Sequence, residues 1–226
     1  MPWVVVGAGL TGLACAQRLA ELHPNDEVVL LDARLVGQGA SGRNSGFAVG
    51  VSHFPGAYKP EQKESFSRVN RINQVGLDLL GKQIKSLSIN CQWDDGGFFH
   101  GAADRSSIKE HKNFIDYLNA MGVEHNSLDH DAMENCFGTS LYKAGVHVKR
   151  GALMQPAALV RGLADGQPKN VRLIENCPVL KVERGNPITL QLSGGEIKTD
   201  KLVLATNYEA PKLGFLRRRL IGSTLS

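Results

Sequence analysis

The sequence predicts an α/β fold that opens with a strand–helix–strand unit, and three patterns near its beginning support this prediction. Trp3–Val6 is a short apolar run rich in β-branched side chains, as expected of a buried strand. Apolar residues at helical spacing then predict a helix over Leu10–Leu22, and Glu27–Leu31 is typical of a second buried strand. Because such crossovers are almost always right-handed, the two strands should be parallel.

The rest of the sequence predicts an inserted α+β segment and then a return to the α/β pattern. Before Pro156 we expect a glycine-rich loop at 37–50 and helices at 59–87 and 106–121. We also expect a strand–turn–strand at Gln92–Ala103 and a weakly patterned stretch at Glu124–Leu153. From Pro156 onward we expect a short helix at Pro156–Leu163 and strands at Val171–Ile174 and Val179–Arg184. A hairpin at Ile188–Lys198 and a last strand at Lys201–Ala205 are expected to follow. The predicted domain division is 1–52 and 150–226 for one domain, with 53–149 inserted between its two parts.

The composition is that of an ordinary globular protein and argues against several functional classes. A net charge of +4 is too mild to indicate nucleic-acid binding. The apolar runs are much shorter than a membrane span and no signal peptide is recognised, so a cytoplasmic location is predicted. No two of the four cysteines form a close pair and the histidines fall in different predicted elements, so we expect free thiols and no metal site.

The glycine motif Gly7-Ala8-Gly9-Leu10-Thr11-Gly12 follows the first predicted strand and opens the first predicted helix. Between a strand and a helix, this pattern is typical of a dinucleotide-binding site. Gly7 would permit the tight turn, Gly9 would let the backbone approach a pyrophosphate, and Gly12 would let the helix pack against the strand. The amides at the start of the helix, including those of Leu10 and Thr11, would face the phosphates.

An acidic residue, Asp32, ends the second predicted strand. At this position a carboxylate can accept hydrogen bonds from ribose hydroxyls, and it disfavours the 2′-phosphate of NADP. The sequence therefore predicts a Rossmann-like FAD/NAD(P)-binding βαβ fold, with Asp32, Ala33 and Arg34 contributing to the cofactor site.

A second glycine-rich loop follows, with the sequence Gly39-Ala40-Ser41-Gly42-Arg43-Asn44-Ser45-Gly46. The two glycine motifs together resemble the flavin-dependent amine oxidases and dehydrogenases of the D-amino-acid oxidase superfamily, especially its γ-glutamylputrescine oxidase-like members. The resemblance implies FAD as the cofactor and favours it over NAD, because an NAD domain has no flavin ring to surround. By position it implies that Ser41, Gly42 and Arg43 contact the phosphates and the ribityl chain, and that Asn44, Ser45 and Gly46 lie near the isoalloxazine.

The resemblance continues more weakly toward the end of the chain, where it implies that Val179 meets the adenine and that Thr206 and Asn207 lie near the phosphates. Members of this family usually continue well beyond Arg219, so the resemblance implies an incomplete substrate domain. The chain would then be a fragment, one subunit of a split enzyme or a truncated form.

Two functions are expected from these observations. The first is an FAD-dependent oxidoreductase, or the FAD-holding part of one, that oxidises the C–N bond of a small amine or amino acid by hydride transfer to flavin. The second is a non-catalytic nucleotide-binding subunit that needs a partner chain or forms a homo-oligomer. No catalytic acid or base is nominated, and His53 is more readily explained as a surface or structural residue than as a residue facing the ring.

Overall fold

The structure of the chain is a computed structural model that describes residues 1–52 and 58–220. His53 and residues 221–226 therefore lie outside the described residues. The described residues form twelve strands: β1 (Trp3–Val6), β2 (Val28–Leu31), β3 (Phe47–Val49), β4 (Phe98–Ala102), β5 (His125–Leu128), β6 (Ala144–Val148), β7 (Gly151–Leu153), β8 (Val171–Ile174), β9 (Val179–Glu183), β10 (Ile188–Leu192), β11 (Gly195–Thr199) and β12 (Lys201–Leu204). They also form five α-helices: α1 (Leu10–Leu22), α2 (Lys63–Ser86), α3 (Arg105–Ala120), α4 (His130–Phe137) and α5 (Pro156–Asp165).

The chain divides into two compact units, and the first is built on a parallel sheet. This unit contains Met1–Asn44, Leu87–Cys91 and the described chain from Pro156 onward. Its sheet has the strand order β12-β1-β2-β8, and all three neighbouring pairs are parallel. The predicted α/β fold class and the predicted parallel pairing of the first two strands are confirmed.

Burial explains why these short strands form the centre of the first unit. One face of β1 and β2 packs against β10, where Leu190 joins a core cluster with side chains of both strands. Successive residues of a strand point to opposite faces, so Val5 and Leu30, both fully buried, face the other side. Helix α1 packs against β1 and β2 and buries Leu13 and Ala16.

The parallel arrangement positions the residues that follow the strands. The carboxyl ends of β1, β2 and β12 meet at one edge of the sheet, and each is followed by residues of the predicted site. In open α/β sheets, ligands bind outside this edge.

The second unit contains the described residues of Ser45–Ser86 and Gln92–Gln155. An antiparallel sheet of order β4-β6-β5 and the short pair β3–β7 form its strands. Its core surrounds the fully buried Tyr117 of α3. The buried Asn70 accepts hydrogen bonds from the backbone and side chain of Ser52, each at 2.7 Å, and donates to the Tyr117 hydroxyl at 2.8 Å. The predicted helical and partial substrate-domain segment at 53–149 stays a prediction.

Two local predictions are wrong. The expected strand–turn–strand at Gln92–Ala103 contains one strand, β4, which pairs with β6 far along the chain instead of with its neighbour. The buried side chains of Val146 and Val148 make β6 an apolar partner that no local hairpin offers. The predicted loop at 37–50 also contains the short strand β3, which is paired with β7.

A helix needs both length and apolar character to cross a bilayer, and none of the described helices combines the two.

Candidate functional site

A cavity of about 370 Å³ lies in the first unit, beside the glycine turn and the ends of β1, β2 and β12. This volume lies within the usual range of ligand pockets, about 300–1,000 Å³. Nine residues of the predicted site line it: Gly7, Gly9, Asp32, Ala33, Arg34, Ser41, Val179, Thr206 and Asn207. The structure therefore brings together residues that are up to 200 positions apart in the sequence.

Two glycines of the turn are required by the fold itself. Gly7 has a φ of +102°, a backbone conformation that side chains disfavour, and a Cβ there would lie 2.5 Å from the carbonyl oxygen of Ala205. A Cβ on Gly12 would collide with the carbonyl oxygen of Gly7. A side chain at Gly7 or Gly12 would therefore collide with the main chain of the turn and its neighbours.

Gly9 is different, because its backbone is extended and has no need of glycine. Its φ and ψ are −78° and −177°, which any residue adopts. A Cβ at this position would lie 2.8 Å from the Ser41 hydroxyl oxygen, so the absence of a side chain lets this hydroxyl lie close to the beginning of α1. The same hydroxyl oxygen accepts a hydrogen bond of 3.1 Å from the Leu10 amide.

The Asp32 carboxylate is held by two backbone amides. Its Oδ2 accepts from Ala8 at 2.8 Å, and its Oδ1 accepts from Arg34 at 2.9 Å. An ionised carboxylate has about four lone-pair positions, so each oxygen retains capacity for a second donor. Asp32 can therefore fix the glycine turn and still bind a hydroxyl group in the cavity.

Thr206 carries an unsatisfied polar atom on the cavity wall. Its Oγ1 is buried and has no hydrogen-bond partner among the residues that the structure describes. Buried hydroxyl groups are nearly always hydrogen-bonded, so an unpaired one beside a cavity indicates a missing partner.

The remaining predicted site residues lie outside the cavity lining. Leu10, Thr11 and Gly12 form the first turn of α1. Arg43 is exposed, Gly42 packs against Gly37, and the Asn44 side chain donates to backbone carbonyls of its own loop. Ser45 and Gly46 belong to the second unit, where the Gly46 carbonyl accepts from the Met154 amide at 2.9 Å.

One wall of the cavity was missed by the sequence analysis. The 3₁₀ helix Asn207–Leu213 contributes Tyr208, Glu209, Lys212 and Leu213 to the lining. This helix is too short for a periodic pattern and contains Pro211, so the Thr206-Asn207 turn was the only signal before it. Leu35 and Gly37 also line the cavity.

A metal centre would be a second possible kind of site. Within the described ranges 1–52 and 58–220, no group of three or more His, Cys, Asp or Glu side chains could hold a metal ion.

Comparison with known proteins identifies a family over nearly the whole chain. A family model described as FAD dependent oxidoreductase matches residues 2–225.

Two curated relatives match the same length of chain. One is a probable oxidoreductase, OrdL, from Haemophilus influenzae, with 25% identity, and the other is gamma-glutamylputrescine oxidoreductase from Escherichia coli, with 28% identity. In each case the match covers 90% of this chain and 48% of the relative. The chain thus spans about half the length of the curated relatives it matches.

Two solved structures have a similar fold. Glycine oxidase from Geobacillus kaustophilus superimposes with a TM-score of 0.76 at 17% identity, over 93% of this chain and 56% of the other. L-proline dehydrogenase from P. horikoshii superimposes with a TM-score of 0.71 at 20% identity, over 95% of this chain and 56% of the other. At these identities the likeness establishes the fold.

Proposed function

Because the chain belongs to the family of FAD-dependent oxidoreductases, we propose that the cavity of its first unit binds the adenosine diphosphate part of FAD. We propose further that the protein oxidises the C–N bond of a small amine or amino acid. The names of gamma-glutamylputrescine oxidoreductase and glycine oxidase support this substrate class. The oxidation is a proposal because the chain matches about half of the length of these relatives.

The observation that carries the proposal is that Thr206, a residue of the cavity lining, has a buried hydroxyl with no hydrogen-bond partner among the described residues. A phosphate or ribityl oxygen would supply the acceptor that this buried group lacks. The bare backbone of Gly9, which lines the cavity, supports the same ligand, because a diphosphate must approach the backbone closely there.

Each lining residue has a role that its chemistry permits. The Ser41 hydroxyl accepts from Leu10 and keeps its own proton to donate to a phosphate oxygen. The positive end of the α1 dipole favours an anion at the same place. The Asp32 carboxylate would accept from ribose hydroxyls, and Val179 would contact the adenine.

FAD supplies the hydride acceptor for the oxidation when it is bound. The described residues of this chain would bind and orient its nucleotide end. The contacts predicted for Asn44, Ser45 and Gly46 with the isoalloxazine, the cytoplasmic location, and a partner subunit or homo-oligomer all stay predictions.

A titration of the purified 226-residue chain with FAD, FMN, NAD and ADP tests the proposal. We expect FAD and ADP to bind in competition with each other, and FMN to bind poorly because it has no adenosine diphosphate. A chain that binds neither FAD nor ADP would contradict the proposed cofactor site, and tight binding of NAD alone would favour an NAD-binding module. Turnover of an amine and amino-acid panel by the FAD-loaded chain then tests the oxidation separately.

A further inference from the structure

On the basis of the proposed function, we propose that Lys212 is the cation that attracts the diphosphate of the bound cofactor, and that Glu209 opposes this attraction. Both residues lie on the 3₁₀ helix Asn207–Leu213, which the sequence analysis did not connect with binding. They line the cavity together, and the Lys212 ammonium forms an ion pair with the Glu209 carboxylate one turn earlier.

The charges around the cavity leave few alternatives for this role. Among the described residues of the lining, Arg34 and Lys212 are the basic side chains, and Asp32 and Glu209 are the acidic ones. These charges cancel, whereas a diphosphate brings about two negative charges. Arg43, which the family resemblance implied for the phosphates, is exposed and does not belong to the lining.

The position of the two basic residues separates their roles. Arg34 lies two residues after Asp32, and its backbone amide donates to the Asp32 carboxylate. It therefore belongs to the end of the cavity where the ribose is proposed to bind. Lys212 lies on the 3₁₀ helix that begins next to Thr206, the residue whose hydroxyl is proposed to meet a phosphate, and this helix also contacts β9, the strand that carries Val179.

Lys212 can exchange the Glu209 carboxylate for another partner at little cost in free energy. The side chains of Lys212 and Glu209 are 76% and 40% exposed, and exposed ion pairs contribute little to stability. Lysine is a mobile point charge on a flexible stem, so it can move from the carboxylate to a phosphate oxygen. Glu209 then remains as a negative charge that repels the same ligand.

This proposal predicts effects of opposite sign for two substitutions that break the same ion pair. Using ADP as the probe in a calorimetric titration, we expect Lys212→Gln to weaken binding about fivefold, because one charge at close range in water contributes about that factor. Glu209→Gln should strengthen ADP binding. Adenosine, which has no phosphates, should bind equally to the parent chain and both variants.

A second exposed pair provides the matched control. The Lys198 ammonium and the Glu196 carboxylate are 3.0 Å apart on β11, outside the cavity lining. Lys198→Gln and Glu196→Gln change the net charge of the protein in the same way and should leave ADP affinity unchanged. Thermal unfolding of all four variants shows whether each remains folded.

If the ion pair only supports the 3₁₀ helix, Lys212→Gln and Glu209→Gln will change ADP affinity in the same direction. That result, or unchanged affinity in Lys212→Gln, would overturn this proposal while leaving the cofactor site intact. A parent chain that binds neither ADP nor FAD would instead overturn the proposed function, and this inference with it.

Discussion

The Ala8 amide donates a hydrogen bond of 2.8 Å to the Oδ2 atom of Asp32. This bond joins the turn that follows β1 to the residue that follows β2, so the acid fixes the turn whose shape the cofactor is proposed to recognise. The Arg34 amide, at 2.9 Å from Oδ1, completes the support of the carboxylate. Asp32 thus combines a structural role with a place on the cavity wall.

We expect Asp32→Ala to lower both the stability of the protein and its affinity for FAD. The substitution leaves the amides of Ala8 and Arg34 without acceptors, and each unpaired buried donor costs about 1–3 kcal/mol, less where solvent reaches it. Urea unfolding and FAD titration measure the two effects. Asp165→Ala, at an exposed helical position outside the cavity, is the control, and an Asp32→Ala variant with parent affinity would contradict the proposed ribose contact.

Gly9→Val should abolish FAD binding while the protein remains folded. Valine adopts the extended backbone of Gly9 without strain, so the fold is expected to tolerate it. Its Cβ would displace the Ser41 hydroxyl, 2.8 Å away, and the larger side chain would crowd the cavity that Gly9 and Ser41 line. A folded Gly9→Val variant that binds FAD normally would show that the diphosphate does not approach Gly9.

Gly12→Ala is the matched control for this prediction. Here the added Cβ meets the carbonyl oxygen of Gly7 inside the turn, so the damage is expected in the fold. Overpacking of this kind typically costs about 1–3 kcal/mol. Thermal unfolding should therefore separate the two glycines, with a lower midpoint for Gly12→Ala and a nearly unchanged one for Gly9→Val.

The part of the fold that could be predicted from sequence is the part whose contacts are local or follow a fixed geometry. The pairing of β1 with β2 follows from the crossover rule, and the roles of Gly7 and Gly12 follow from a turn that closes within six residues. The place of Asp32 at the site could be predicted because Asp32 comes directly after a buried strand.

The rest depends on contacts between distant parts of the chain. The partner of β4 is β6, more than forty residues later, and local alternation of side chains carries no information about that choice. The wall formed by Tyr208, Glu209 and Lys212 has the same origin, because a short 3₁₀ helix reaches the cavity only through the position of β12 in the sheet. Glycine-rich motifs thus locate a cofactor site more readily than they locate the charges around it.

Because of the Asp104 carboxylate at the beginning of α3, we expect the free energy of unfolding to depend on pH in acidic solution. Asp104 accepts from the Ser107 amide at 2.8 Å and from the hydroxyls of Ser106 and Ser107 at 2.9 Å. These bonds, led by the one from the Ser107 backbone, lower the pKa of Asp104 from 3.8 to about 2. A lowered pKa means that the folded state favours the ionised form, so this contribution is complete above pH 3.8 and is lost as the pH falls toward 2.

Asp104→Asn tests this pH dependence, since asparagine is an equally good N-cap that does not titrate in this range. The difference in unfolding free energy between the parent chain and the variant should be constant above the ordinary pKa and should shrink below it. Urea unfolding at a series of acidic pH values measures this difference. A difference that does not change with pH would contradict the assigned hydrogen bonds.

Thr206→Val should stabilise the cofactor-free protein and weaken FAD binding. Valine has nearly the same shape as threonine, and it removes a buried hydroxyl that has no partner among the described residues. An unsatisfied buried hydroxyl costs about 1–3 kcal/mol, so a gain of up to that size is expected in urea unfolding without FAD. In the presence of FAD the variant loses a proposed hydrogen bond, and its affinity should fall.

Thr199→Val provides the opposite case for the same chemical change. The fully buried Thr199 hydroxyl donates to the Pro2 carbonyl at 2.7 Å and accepts from the Lys201 amide at 3.0 Å, outside the cavity lining. Its loss should therefore destabilise the protein by about 1–3 kcal/mol and leave the affinity of the folded protein for FAD unchanged. If Thr206→Val is destabilised in the same way as Thr199→Val, the Thr206 hydroxyl has a partner within the protein and is not reserved for the cofactor.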